Sequence, residues 1–273
     1  MHDILTNRAI IAVSGEDAMN FLHNLTTNDI KKYDYCYNYA LSNQGRYLFD
    51  FFVFKQSTTS FLIDININQA DLFTTHLAIY KLRAKVIVED LSDIYQLVYS
   101  RRQPQFKVIG SFRDPRYFAL GFRSIIHKEL VKDLLLDNEV RELYLPDKYN
   151  FAIIDGYEDL IYNRSIPVEY GAEELNAISY VKGCYIGQEI ISRAKYQGVV
   201  RKKIYKLSTI TDDPEIFKGD KIVANGREIG ALCSSYKNNA IALIREVEYS
   251  TLQTTIITVK NLVVSLSIPS WRT

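Results

Sequence analysis

The run Tyr47-Leu48-Phe49-Asp50-Phe51-Phe52-Val53-Phe54 constrains this chain more than any other stretch. Alternate side chains of a strand face opposite ways. Tyr47, Phe49, Phe51 and Val53 are therefore expected on one face, and Leu48, Asp50, Phe52 and Phe54 on the other. Both faces are apolar, so the strand must be covered on both sides. Its one aspartate then stands in an apolar row, where an unpaired carboxylate is costly or changes its pKa. Asp50 needs a charged partner, for which Arg46, Arg83 and Lys85 are the candidates, or it faces a ligand cavity.

The pattern around this strand predicts further strands over 8–13, 37–41, 60–65, 85–89, 95–100 and 117–122. Helices are expected over 69–83, 125–136 and 147–156. Ser14 and Asp17 resemble a capping box ahead of Ala18, Phe21, Leu22 and Leu25, which are spaced as one helix face. From residue 199 strands dominate. Those at 221–224 and 228–233 flank Asn225-Gly226, a strong hairpin signal, and 240–245, 254–260 and 262–268 follow. Strands grouped around isolated helices indicate an α+β class, with a small β-barrel at the end. The expected division is 1–113, 114–198 and 199–273.

Charge excludes some functions. With 33 basic and 32 acidic residues in 273, the formal net charge is +1, and no broad field attracts nucleic acid or a membrane surface. Cys36, Cys184 and Cys233 lie far apart, which suits neither a disulfide scaffold nor a zinc cage built from one chain. Free thiols fit a reducing compartment, and with apolar runs too short for a signal peptide or a membrane span the expected location is the cytoplasm. There is no GxGxxG after a strand, P-loop, HExxH or GxSxG, and the four histidines are scattered.

One further stretch carries chemistry: Val181-Lys182-Gly183-Cys184-Tyr185-Ile186-Gly187-Gln188-Glu189-Ile190-Ile191-Ser192-Arg193. Gly183 and Gly187 permit positive φ or close backbone approach on either side of Cys184. Ile190, Ile191 and Ala194 fall at helical spacing, and Glu189 with Arg193 forms an acid-to-base i,i+4 pair. Cys184 thus lies just before a helix N-terminus with Lys182 two positions away. Both features lower a thiol's pKa and favour a nucleophile or metal ligand. A packed, inert cysteine fits the same spacing.

The segment Lys182 to Glu189, followed by Arg193 and Gly198, resembles the KGC[FY]xGQE signature of the YgfZ family of folate-binding proteins that assist iron–sulfur cluster assembly. The resemblance extends over most of the chain: Ile11 to Ala18 with Phe21-Leu22, Thr27-Asn28-Asp29, Gln44-Gly45-Arg46-Tyr47-Leu48-Phe49-Asp50, Leu82 to Val86, Asp114-Pro115-Arg116, Pro167 and Glu169. One region departs: where relatives carry an arginine and an RI-x-x-G-[IV]-P pattern, this chain reads Ala152 to Glu158, and only Gly156 aligns. The family is related to the aminomethyltransferase of glycine cleavage, the T-protein. The resemblance therefore implies a three-part ring, with two interleaved α+β parts and a terminal barrel around a folate-sized channel. It implies tetrahydrofolate or a derivative as cofactor, and iron–sulfur client or carrier proteins as partners. It makes Cys184 the essential thiol, meeting a cluster as a transient ligand, a client protein or a one-carbon unit, with no metal stably bound by one chain. Lys182 is expected to favour the thiolate. Gly183, Tyr185, Gly187, Gln188, Glu189 and Arg193 would support the motif, and Asp50 and Tyr47 would face folate. Two other functions fit the resemblance: a tetrahydrofolate-dependent aminomethyl or methyltransferase, against which stands the single acid at Asp50, and a non-catalytic folate-binding scaffold.

Overall fold

The computed structural model describes residues 1–136, 141–198, 200–251 and 256–272. Five antiparallel strands form the first sheet, in the order Tyr35–Leu41, Tyr47–Lys55, Ser60–Asn66, Arg8–Ser14 and Ile87–Asp90. Asp50 lies on its second strand, opposite Tyr39. The aromatic run is covered on both faces, as its composition requires. On one side Phe49, Phe51 and Val53 pack with Phe21, Leu22, Phe73 and Leu77 of the helices Ala18–Leu25 and Ala70–Lys81. On the other, Tyr37, Tyr39, Tyr47 and Phe52 pack with Ile153, Ile154, Leu160 and Tyr170.

The alternation expected along this strand breaks once. Ala40 pairs with Phe49 and Leu41 with Tyr47, so Leu48 bulges out of register. A bulge turns the chain by one residue, and Tyr47 arrives on the Asp50 face instead of the Phe49 face.

The second sheet has four strands, in the order Asp3–Ile4, Tyr95–Ser100, Phe122–His127 and Gly110–Arg113. The expected boundary after residue 113 therefore separates two paired strands, while the start of the chain joins this sheet and not the first. The helix expected over 125–136 is a strand to His127, a short 3-10 turn and a helix only over Val131–Leu136. Ile125 and Ile126 follow their β preference because Leu97 and Gln96 are there to pair with them. The strand expected over 117–122 is instead a turn, in which a Cβ on Gly121 would stand 2.2 Å from the Ser100 carbonyl oxygen. The helix expected over 147–156 runs over Tyr144–Phe151 and stops at Ala152, whose φ of 52° is left-handed. Ser14 does not cap the first helix; it is a strand residue paired with Ile87, and the Asp17 carboxylate accepts from the Lys85 backbone N–H at 2.8 Å.

Six strands from Lys202–Thr209 to Leu262–Ser267 close a barrel. Its Lys221–Ala224 and Arg227–Tyr236 strands meet through Asn225 and Gly226, both at positive φ as a two-residue hairpin requires. Part of the strand expected over 254–260 lies outside the described residues; the described part is Ile257–Val259. No described helix is long and apolar enough to cross a membrane.

Candidate functional site

Three segments that sequence alone leaves separate converge around Cys184. The helix Gln188–Tyr196 begins at Gly187, where φ is 82°. A Cβ on Gly187 would stand 2.7 Å from the Ser42 carbonyl oxygen, and one on Gly45 would stand 3.0 Å from the Ile190 Cβ. These two glycines let the turn before Arg46 pack against the start of the helix. The third segment is Thr26-Thr27-Asn28, just past the Ala18–Leu25 helix. Thr27 Oγ1 donates to the Ala177 carbonyl at 2.7 Å, and Asn28 Nδ2 to the Asn176 carbonyl at 2.7 Å.

Lys182 ties the loop to that corner. Its buried ammonium donates to the carbonyls of Thr26 at 2.5 Å, His23 at 2.6 Å and Asn28 at 2.9 Å. This corrects the role expected for Lys182. The C-terminal end of a helix attracts cations, and the ammonium is spent on the His23 carbonyl there and on the two just beyond it, with Asp29, Cys36 and Lys31 as its charged or titratable neighbours. Burial pulls its pKa down to about 8, with Asp29 opposing. Tyr185 is buried in the core beneath, with the Lys182 ammonium 5.2 Å from its ring centre. Gln188 donates to the Lys182 carbonyl at 3.4 Å, and the exposed Glu189–Arg193 pair closes at 2.7 Å.

Between these anchors the loop is open. Cys184 is exposed, while Cys36 and Cys233 are buried, and burial pushes the Cys36 thiol up to about 12. Gly183 has an ordinary φ, and a Cβ there would meet nothing within 4 Å. The two glycines flanking the thiol thus differ. Gly187→Ala is expected to cost about 1–3 kcal/mol in strain and displacement, and Gly183→Ala under about 0.5 kcal/mol, as read by urea unfolding.

A pH dependence follows from Lys182. Its folded pKa lies below the unfolded value of 10.5. Between the two the unfolded chain binds more protons, so this group makes stability rise as pH goes from about 8 to about 10.5, by at most about 1.4 kcal/mol per unit. Lys182→Met should remove that rise, so that the stability difference between variant and wild type grows with pH across the window. A constant difference would contradict it.

Asp50 is 1% exposed, and among the described residues its carboxylate is held by hydrogen bonds and not by Arg46, Arg83 or Lys85. Its carboxylate accepts from the Tyr37 hydroxyl at 3.0 Å, the Tyr47 hydroxyl at 3.0 Å and the Tyr157 backbone N–H at 3.1 Å. Burial first, then the Asp50 charge, hold both phenols well above their ordinary pKa, so they remain donors. Gly156 permits this approach, since a Cβ there would lie 2.4 Å from Asp50 Oδ1. As arranged, Asp50 and Tyr47 do not fit a folate: both are buried, three protein donors already engage the carboxylate, and neither lines the groove of about 960 Å³ beside the Cys184 loop.

Sequence reasoning missed a buried ionic network around this carboxylate. Arg116, fully enclosed, grips Asp114 through Nε at 2.9 Å and Nη2 at 2.6 Å, and reaches Asp155 at 2.7 Å. Arg123 pairs with Asp64 at 2.6 Å, Arg8 with Asp64 at 2.5 Å, and Lys148 with Asp159 at 3.1 Å. Burial opposes charge on Asp155, but Lys148 and Arg116 outweigh it and hold the carboxyl below its ordinary range. Asp159 accepts from Ser234 of the barrel, so the network reaches all three parts of the fold. The signal was present as Asp114-Pro115-Arg116, Arg123 and the acids after Ile154, but not their pairing.

Two α+β sheets, a terminal barrel and one exposed thiol define the class: a T-protein-like fold that displays a cysteine loop. The aminomethyltransferase T of the glycine cleavage system from Bartonella henselae shares this fold, with a TM-score of 0.75 over 98% of this chain and 84% of that one, at 16% identity. Residues 201–273 match the family described as the CAF17 C-terminal beta-barrel domain. The chain is similar to the mitochondrial iron-sulfur cluster assembly factor IBA57 homolog of Pyricularia oryzae, 31% identical over 214 residues that cover 73% of this chain and 55% of that protein. It is also similar to human mitochondrial IBA57, 26% identical, with 88% and 76% covered. The chain thus spans little more than half the length of the Pyricularia relative. These names correct the expected cytoplasmic location: the Pyricularia, Neurospora, mouse and human relatives are all named mitochondrial. Free thiols and near-neutral charge suit any reducing compartment and could not tell one from another.

Proposed function

We infer that this chain is an accessory factor of the IBA57 and YgfZ type, which assists the assembly, insertion or repair of iron–sulfur clusters, [4Fe–4S] clusters among them, in client proteins. The observation that carries this reading is the presentation of Cys184. It is the exposed thiol of the three, on a loop fixed by Lys182 on one side and Gly187 on the other. The names of the relatives supply the class of cargo. Clusters are usually held by four thiolates, so a lone Cys184 meets a cluster only together with ligands from a partner, and the cluster is cargo. Among the described residues no group of three His, Cys, Asp or Glu side chains could hold a metal ion. Aminomethyl transfer gains no support at Asp50, whose carboxylate is engaged by two tyrosines and a backbone N–H.

The test is a strain lacking this chain. Activities that depend on [4Fe–4S] clusters should fall severalfold while the enzyme polypeptides remain present, and wild-type protein should restore them. Unchanged activities would count against the reading.

A further inference from the structure

The groove of about 960 Å³ runs between the Asn28–Cys36 segment, the turn after Arg113 and the helix that follows Cys184. Its walls include Tyr33, Tyr35, Phe118, Tyr180 and Tyr196, and also Val181, which lies three residues before the exposed thiol in the chain. Its charges do not balance. Asp34 is neutralised by Lys55, Asp114 by Arg116, and Lys195 by Glu173. Lys32 and Arg113 remain. Among the described residues neither has a carboxylate partner: Lys32 lies over the Tyr33 ring and Arg113 donates to the Phe118 carbonyl at 2.9 Å. Among the described residues the buried hydroxyl of Tyr180 also has no hydrogen-bond partner.

We propose that this groove docks an acidic, aromatic-bearing segment of a partner protein, laid between Lys32 and Arg113 and beside the segment that continues to Cys184. Two unopposed cations call for carboxylates, and exposed rings call for apolar side chains. A protein segment fits better than a small anion because the apolar rim extends beyond the charges: Phe118 is 74% exposed and Val181 91% exposed. A small anion would leave that rim in water, whereas a chain crossing the groove would cover it. The inference rests on the reading that this chain acts on other proteins.

Fluorescence polarisation of two labelled hexapeptides against the full chain tests it. One is Asp-Phe-Glu-Asp-Phe-Glu and the other its charge-reversed counterpart, Lys-Phe-Lys-Lys-Phe-Lys. The acidic peptide should bind at least about tenfold tighter, and more weakly as salt rises. Lys32→Glu and Phe118→Ser, both at exposed positions, should each weaken it severalfold without lowering the melting temperature, while Cys184→Ala leaves it unchanged. Equal binding of both peptides, indifference to the two groove variants, or full displacement by millimolar inorganic phosphate would overturn the proposal. The deletion strain separates the two levels. If Lys32→Glu/Phe118→Ser restores cluster enzymes fully and Cys184→Ala does not, docking here is wrong and the assembly reading stands. If both restore them fully, docking here and the role of Cys184 fall, while the assembly reading stands; if deletion itself leaves those enzymes active, the assembly reading falls.

Discussion

Arg116→Met should destabilise this protein by about 3–5 kcal/mol, a large share of the roughly 5–15 kcal/mol that holds a typical domain folded. The guanidinium is fully enclosed and makes bonds to Asp114, Asp155, the Ile154 carbonyl and the Tyr144 hydroxyl, while lying 4.8 Å from the Phe52 ring centre. Methionine fills much of the volume but leaves Asp114 buried with only Arg123, at 3.7 Å, to oppose its charge. Removing one member of a buried ion pair costs far more than the pair contributes, because the remaining charge is not resolvated. Replacing Arg116 and Asp114 together by apolar residues should therefore cost less than Arg116→Met alone. Urea unfolding of the two variants decides this, and a single substitution costing under about 1 kcal/mol would contradict the network as described.

The second large effect concerns the thiols. In the native protein one equivalent of iodoacetamide should react promptly, at Cys184, and three in denaturant. Cys36 and Cys233 are buried and burial raises the pKa of both, which removes access and thiolate together. Cys184→Ala should abolish the prompt reaction. Two or three prompt equivalents in native protein would mean that the buried cysteines are accessible, and that the case for a single presented thiol fails.

Much of the fold was legible from residues 47–54. Their apolar character on both faces required a covered central strand, and one is found. Asn225-Gly226 marked its hairpin because only a few residues accept positive φ at both turn positions. What escaped was set by contacts distant in sequence. The bulge at Leu48 depends on the neighbouring strand, and it alone brings Tyr47 to Asp50. Phe122–His127 is a strand because Tyr95–Ser100 lies beside it; the apolar run from Ile125 to Leu136, read alone as a helix, could not reveal that. At the site the motif marked Cys184, Gly187 and the Glu189–Arg193 pair, but the direction of Lys182 was invisible. A lysine two positions from a cysteine suggests a charge for the thiol, whereas the carbonyls of His23, Thr26 and Asn28, at and just past the end of the Ala18–Leu25 helix, compete for it and win.

The central claim is that Cys184 is the thiol through which this chain serves cluster-containing proteins. Its most direct test is the deletion strain complemented with wild-type protein and with Cys184→Ala, both checked for equal abundance and melting temperature, with [4Fe–4S]-dependent activities assayed in each. Wild type should restore those activities and Cys184→Ala should leave them at the level of the deletion. Full restoration by Cys184→Ala would contradict the claim.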